Sequence, residues 1–182
     1  MIGVAIVAAI HLFAKSEVAV NDPVMSRRAI QVEHITIESV KPFTEVKAVL
    51  ESTLPALDQK ILALLRDGES ERAREALGRG PELSIFLTRD HGNLLQITGR
   101  PRKTLQYEIG NPHTASRMTQ HQLAAALYAP LRVVLYENAA GRAIFEYDRP
   151  SSLFGQFDDE RVTAVARELD TTIERALRQA AA

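Results

Sequence analysis

Three tyrosines with strand-like neighbours, Tyr107, Tyr136 and Tyr147, are the first candidates for chemistry in this chain. A phenol both donates and accepts hydrogen bonds. Because side chains alternate between the two faces of a strand, the three hydroxyls can converge on one face of a sheet. Such a group would line a pocket for a small molecule. The competing interpretation is that a tyrosine packs in the core with its hydroxyl hydrogen-bonded, and for Tyr147 this interpretation is favoured.

Three more polar residues extend this candidate binding site. Asn111 stands before a proline and can direct its amide at a ligand, but Asn-Pro is also typical of a turn, and the turn is favoured. Asp148 forms with Arg149 a charge pair that can orient a small anion or a carbonyl compound, although a solvated pair is favoured. Arg117 completes the set. An enzyme using Tyr147, Asp148, Arg117 or a histidine as acid–base groups would need two of them within hydrogen-bonding reach in one cleft.

The sequence has few signs of catalysis. Because it contains no cysteine, the chain has no thiolate nucleophile, no disulfide and no cysteine-bound metal. Its histidines lack a repeated spacing, whereas a catalytic zinc normally needs three protein ligands. We therefore predict no catalytic residue, no metal site and no cofactor, and we favour a protein without enzymatic activity.

The length of the chain limits the number of domains, and its net charge limits the class of partner. A chain of 182 residues is long enough for one domain with a proper core, whereas a second domain would be cramped. A net charge of −1 provides no basic field that would attract a phosphate backbone. We expect one domain and no nucleic-acid partner.

The N-terminus carries the only long apolar run, Ile2 to Ala14, which is too short for a stable membrane span. If this run is a genuine signal core, the protein is exported; if Met25 is the true start, a cytoplasmic protein is favoured. Both hypotheses treat residues 1–29 as an N-terminal extension and residues 30–182 as a single α+β domain.

Apolar periodicity predicts the elements that must position these candidates. Alternation predicts strands, and apolar residues three or four positions apart predict helices. The predicted strands are Gln31–Glu38, Leu83–Thr88, Leu94–Thr98, Leu105–Ile109, Leu131–Glu137 and Ala143–Tyr147, with a hairpin turn at Arg89–Asn93. The predicted helices are a first one from Phe43 that Pro55 interrupts, a second, short one over Leu57–Leu65, a charged one over Glu69–Leu77, one over Thr114–Tyr128, and a terminal one capped by Asp158 or Asp159.

This order lacks the steady strand–helix alternation of a doubly wound fold. We therefore predict an α+β fold, a two-layer domain with an antiparallel-rich sheet and helices on one face, including a long C-terminal helix. The apolar stripe of that last helix, formed by Val162, Val165, Leu169, Ile173 and Leu177, is the clearest periodic pattern in the chain.

Several motifs in a fixed order carry a resemblance to a known family. They are the turn Gly110-Asn111-Pro112, the strand start Pro130 to Val133, and the turn from Tyr147 to Pro150. From Val32 to Leu177 the chain resembles the bacterial family catalogued as domain of unknown function 302, DUF302. The resemblance implies a compact two-layer α+β domain that is able to dimerise, and it implies no established activity.

Three classes of function follow. The leading hypothesis is a small-molecule-binding or accessory domain without catalysis, with a pocket lined by Tyr107, Asn111, Tyr136 and Tyr147. The second is an enzyme with acid–base groups near Tyr147 and Asp148. The third is a homo-oligomeric interaction module, such as a homodimer, in which a sheet edge or the final helix pairs across a two-fold axis.

Overall fold

The computed structural model describes residues 23–182, which form one antiparallel sheet and its helices. The strands are β1 (His34–Pro42), β2 (Ser84–Asp90), β3 (Thr104–Gly110), β4 (Leu131–Glu137) and β5 (Arg142–Asp148). The α-helices are α1 (Phe43–Thr53), α2 (Gln59–Arg66), α3 (Ser70–Arg79), α4 (His91–Leu94), α5 (Pro112–Thr119), α6 (Pro150–Phe154) and α7 (Glu160–Ala181). Short 3-10 segments cover Leu95–Thr98, Leu123–Tyr128 and Gly155–Phe157.

The sheet has five strands in the order β1-β5-β4-β3-β2, and every neighbouring pair is antiparallel. Alternation along each strand separates two faces. On β3, Leu105, Tyr107 and Ile109 are buried on the face covered by helices, whereas Gln106 and Glu108 are half-buried on the opposite face. We call these the covered face and the open face. The α+β fold with helices on one face is confirmed.

The long helix α7 crosses the covered face. All five residues of its predicted stripe are buried, and at about 1.5 Å per residue its 22 residues span roughly 30 Å. The helix begins at the predicted cap, because the Asp159 side chain accepts a hydrogen bond from the N–H of Arg161. At its far end, the Ser39 hydroxyl of β1 donates to the carbonyl of Ala181 at 2.6 Å. The sequence prediction of this helix is confirmed.

The predicted strand Leu94–Thr98 and its hairpin are wrong, because this segment is helical. The Asp90 carboxylate accepts a hydrogen bond from the N–H of Asn93 at 2.8 Å, which starts a helical turn directly after β2. Gly92 packs so closely that a Cβ there would lie 2.1 Å from the carbonyl oxygen of Arg102. As a result β2 pairs with β3, with Asp90 opposite Leu105, and the sheet has five strands rather than six.

Two other boundaries also differ from the predictions. The predicted helix Thr114–Tyr128 is two pieces, α5 and the 3-10 segment Leu123–Tyr128, because the backbone of Gln122 is extended between them. Strand β1 starts at His34, three residues after the predicted start at Gln31, and it ends at Pro42. The remaining predicted helices and strands are present near their predicted positions.

The apolar run Ile2 to Ala14 lies outside the described residues, so export and a start at Met25 both stay predictions. Within residues 23–182, no helix combines the length and the apolar character needed to cross a bilayer.

Candidate functional site

The six candidate residues do not meet in one place, because strand register divides the tyrosines between the two faces. Tyr107 and Tyr147 both pair with Val133, so their side chains share the covered face. Tyr136 lies three residues further along β4 and faces the opposite way, as does Asp148 on β5. The three hydroxyls, which could have converged on one face, are therefore divided between the two faces.

Tyr107 is a core residue whose hydroxyl is already used. It is fully buried, and its hydroxyl donates to the Glu51 carboxylate on α1 at 3.0 Å. Burial raises the pKa of Tyr107 strongly, and the Glu51 carboxylate raises it further. Lys47 donates to the other oxygen of Glu51 at 2.6 Å. This arrangement ties α1 to β3 rather than presenting a phenol to a ligand.

Tyr147 is also packed in the covered face, with 5% of its surface exposed. Burial first, and the nearby Glu174 carboxylate second, raise the pKa of Tyr147 to about 12. The phenol is therefore protonated at neutral pH and is unsuited to act as a base.

The open face carries a hydrogen-bonded cluster that includes Tyr136 and Asp148. The Tyr136 hydroxyl donates to Glu146 at 2.9 Å, and His34 Nδ1 lies 2.9 Å from Asp148 Oδ1. The other ring nitrogen of His34 is 3.6 Å from Glu146. The hydrogen bond with Asp148 is the main cause that raises the pKa of His34 above its usual value.

This cluster meets the distance requirement for acid–base groups but lies on an exposed sheet surface. The His34 and Asp148 side chains are 55% and 41% exposed. In the part of the chain that the structure describes, no group of three or more histidine and carboxylate side chains is arranged to hold a metal ion. Sequence analysis missed the role of His34 and Glu146, although the antiparallel pairing of β1 with β5 brings them together.

Asn111 is the N-cap of α5. Its side-chain oxygen accepts hydrogen bonds from the N–H groups of His113 and Thr114 at 2.8 and 3.4 Å. Its amide nitrogen donates to the carbonyl of Pro81 at 3.2 Å, which ties the helix start to the loop before β2. Both ends of the amide therefore bind the protein's own backbone.

Asn111 nevertheless borders an opening with almost entirely apolar walls. We call this opening the apolar cleft; its volume is about 80 Å³. The cleft lies between the end of β3, the start of β4 and helices α5, α6 and α7. Its walls are formed by Phe86, Ile109, Gly110, Asn111, Pro112, Thr114, Ala115, Met118, Ala129, Pro130, Leu131, Phe154 and Leu169.

A polar hollow of about 280 Å³ adjoins the cleft and shares Asn111, Thr114 and Leu169 with it. Across this polar hollow, Arg117 on α5 forms two hydrogen bonds with Glu168 on α7, at 2.6 and 2.9 Å. The hydrogen bonds with Arg117 hold the pKa of Glu168 below its usual value, and those with Glu168 raise the pKa of Arg117.

Of the six candidates, the structure places Asn111 beside both spaces and Arg117 in the wall of the polar hollow. It places Tyr107, Tyr136, Tyr147 and Asp148 outside the walls of both. The apolar residues that form the cleft were missed as site residues. Met118 and Leu169 are apolar residues on helices, as core residues usually are. This pattern does not show whether such a residue lines a cleft or is packed on all sides.

Comparison with known proteins supports the fold. The family model described as domain of unknown function DUF302 matches residues 70–180. No curated protein matches the chain. A crystal structure of an uncharacterized conserved DUF302 protein from Bacillus stearothermophilus is similar, with a TM-score of 0.60 and 17% identity over 81% of this chain and 97% of that one. At this identity the likeness shows the fold alone. The family match over more than half of the sequence establishes that this chain belongs to the DUF302 family.

Proposed function

We propose that the protein is a small-molecule-binding domain and that the apolar cleft is its binding site. The observation that supports this most directly is an almost entirely apolar opening that borders a polar hollow. Small-molecule sites commonly combine apolar walls with a few polar groups that orient the ligand. Here the polar groups lie at one side, so the fitting ligand has an apolar end and a polar end.

The volume limits the size of the apolar end. An engineered cavity of about 150 Å³ lined by apolar residues binds benzene. The apolar cleft, at about 80 Å³, is smaller but open at one side. It therefore fits a short branched alkyl group or part of one aromatic ring, and a larger polycyclic ring system is too big.

Three residues in the walls of the cleft are packed into the hydrophobic core. Met118, Phe154 and Leu169 are buried, and each also belongs to the main hydrophobic core. A wall that is part of the core needs little reorganisation when a ligand enters, and this reduces the free-energy cost of binding. None of the lining residues is titratable, which favours binding over acid–base catalysis at this place.

Calorimetric titration with benzyl alcohol and isobutanol tests the proposal. Ala115 lies on α5 in the cleft wall, and Ala115→Leu would fill the cleft with its own side chain. Ala48 is an exposed alanine in the middle of α1, so Ala48→Leu is the matched control. We expect the unmodified protein and Ala48→Leu to bind alike, and Ala115→Leu to lose binding at least tenfold. Equal binding by both variants would contradict the proposed site.

A further inference from the structure

We infer that the ligand of the apolar cleft is a small carboxylic acid, whose carboxylate takes the place of Glu168 on Arg117. This inference rests on the proposed function and adds the chemical class of the ligand's polar end. Thr114 and Leu169 line both spaces. Arg117 follows Thr114 by one helical turn, and Glu168 directly precedes Leu169, so the ion pair stands beside the cleft.

The ion pair between Arg117 and Glu168 is one that a ligand can replace at small cost. The two side chains are 39% and 57% exposed, and exposed ion pairs contribute little to stability because water solvates both partners. Glu168 is the more exposed partner and projects from the middle of a long helix. When it is displaced, its carboxylate can turn to solvent without leaving a buried charge.

The geometry of the pair selects a carboxylate rather than an amine. The guanidinium of Arg117 makes two hydrogen bonds to the two oxygens of one carboxylate. A ligand carboxylate restores both bonds, because it has the same planar pair of acceptors. A ligand with an ammonium group would have to bind Glu168 instead. It would not reproduce this two-bond geometry, and it would leave Arg117 without its partner.

The other charged groups of the polar hollow are consistent with this choice. Among its wall residues, Glu82 is the remaining carboxylate, and it is already paired with Arg175 of α7. His113 also lines the polar hollow and adds a ring nitrogen that can donate to an anion. Arg117 is the one arginine or lysine among these wall residues, so it is the group that would bind the carboxylate of an acid.

Three matched sets of ligands test the inference at pH 7. Benzoate, phenylacetate and 3-phenylpropionate are titrated beside the corresponding amides and the amines of equal length, which covers three distances between ring and polar end. We expect at least one acid to bind tenfold or more tightly than its amide. Arg117→Gln should remove this preference, and Glu168→Gln should strengthen acid binding severalfold, because it weakens the competitor for Arg117.

The outcomes separate the inference from the proposed function. If acid and amide bind equally, or the amine binds best, the carboxylate inference is overturned while the cleft remains a binding site. If no compound binds, or Ala115→Leu binds all of them unchanged, the proposed function fails as well. Thermal melts of the Arg117 and Glu168 variants check that both remain folded, as expected for an exposed pair.

Discussion

Leu169→Ala offers a test of the cleft through stability, because Leu169 is at once a core residue and a wall of the apolar cleft. Truncating a buried leucine costs about 2 to 5 kcal/mol, and the spread depends on the cavity that remains. Leu177, two turns further along α7, is fully buried and lies outside the cleft wall. The two substitutions delete the same atoms from the same helix in different surroundings.

The expected difference follows from the cavity term. At about 24 cal/mol per Å³, a retained void of ~60 Å³ contributes roughly 1.5 kcal/mol. Behind Leu177 this void is closed, so Leu177→Ala should cost about 4 kcal/mol. At Leu169 the void merges with an open cleft that solvent can enter, so Leu169→Ala should cost about 2 to 3 kcal/mol.

Urea unfolding followed by far-ultraviolet circular dichroism measures both free energies of unfolding. Leu169→Ala should also accept larger apolar ligands than the unmodified protein does, because its cleft is wider. If Leu169→Ala costs as much as Leu177→Ala or more, Leu169 is enclosed on all sides and the cleft does not open beside it.

Three further predictions concern Gly110 in the wall of the apolar cleft, the N-cap of α5 and the open face of the sheet. Gly110→Ala places a methyl group 3.4 Å from the Pro130 Cβ, an ordinary contact, so the variant should fold normally and bind cleft ligands more weakly in calorimetry. Asn111→Ala removes the helix cap and the bond to Pro81 and should cost about 1 to 2 kcal/mol in urea unfolding, whereas Asn111→Asp should recover only part of that loss, because its carboxylate keeps the cap but cannot donate to the Pro81 carbonyl. The hydrogen bond with Asp148 raises the pKa of His34 above its ordinary value, so this contact stabilises the fold while the imidazole is charged, and the contribution disappears as pH rises through the folded pKa. Because both side chains are exposed, the contribution is a few tenths of a kcal/mol, and an NMR titration of the imidazole should show its pKa falling in Asp148→Asn.

Local patterns were sufficient to predict most of the fold. The stripe of α7 and the alternation in β4 and β5 reflect burial against a single core, so period and composition agree with the structure. The segment Leu94–Thr98 failed because its composition is strand-like, while its environment is solvent: Ile97 is 88% exposed. The deciding contacts there are the Asp90 cap and the close approach of Gly92 to the Arg102 carbonyl, and the second of these joins two segments ten residues apart.

The candidate site depended on information that no local pattern contains. Whether Tyr136 shares a face with Tyr107 depends on the parity of strand register, and a shift of one residue reverses the answer. The cleft brings together Phe86, Met118 and Leu169 from three separate parts of the chain. Each of these residues is typical of a core. The space between them arises from how β3, β4, α5 and α7 pack.

Titration of the Met118 methyl group by NMR tests the binding site most directly. The chain has 3 methionines; Met118 is buried in the cleft wall, whereas Met25 is 78% exposed and serves as an internal reference. With methyl-labelled methionine, benzyl alcohol should shift the Met118 signal saturably and leave Met25 unchanged, and Ala115→Leu should abolish the shift. Saturable binding without any change at Met118, or an unchanged shift in Ala115→Leu, would contradict a ligand site in the apolar cleft.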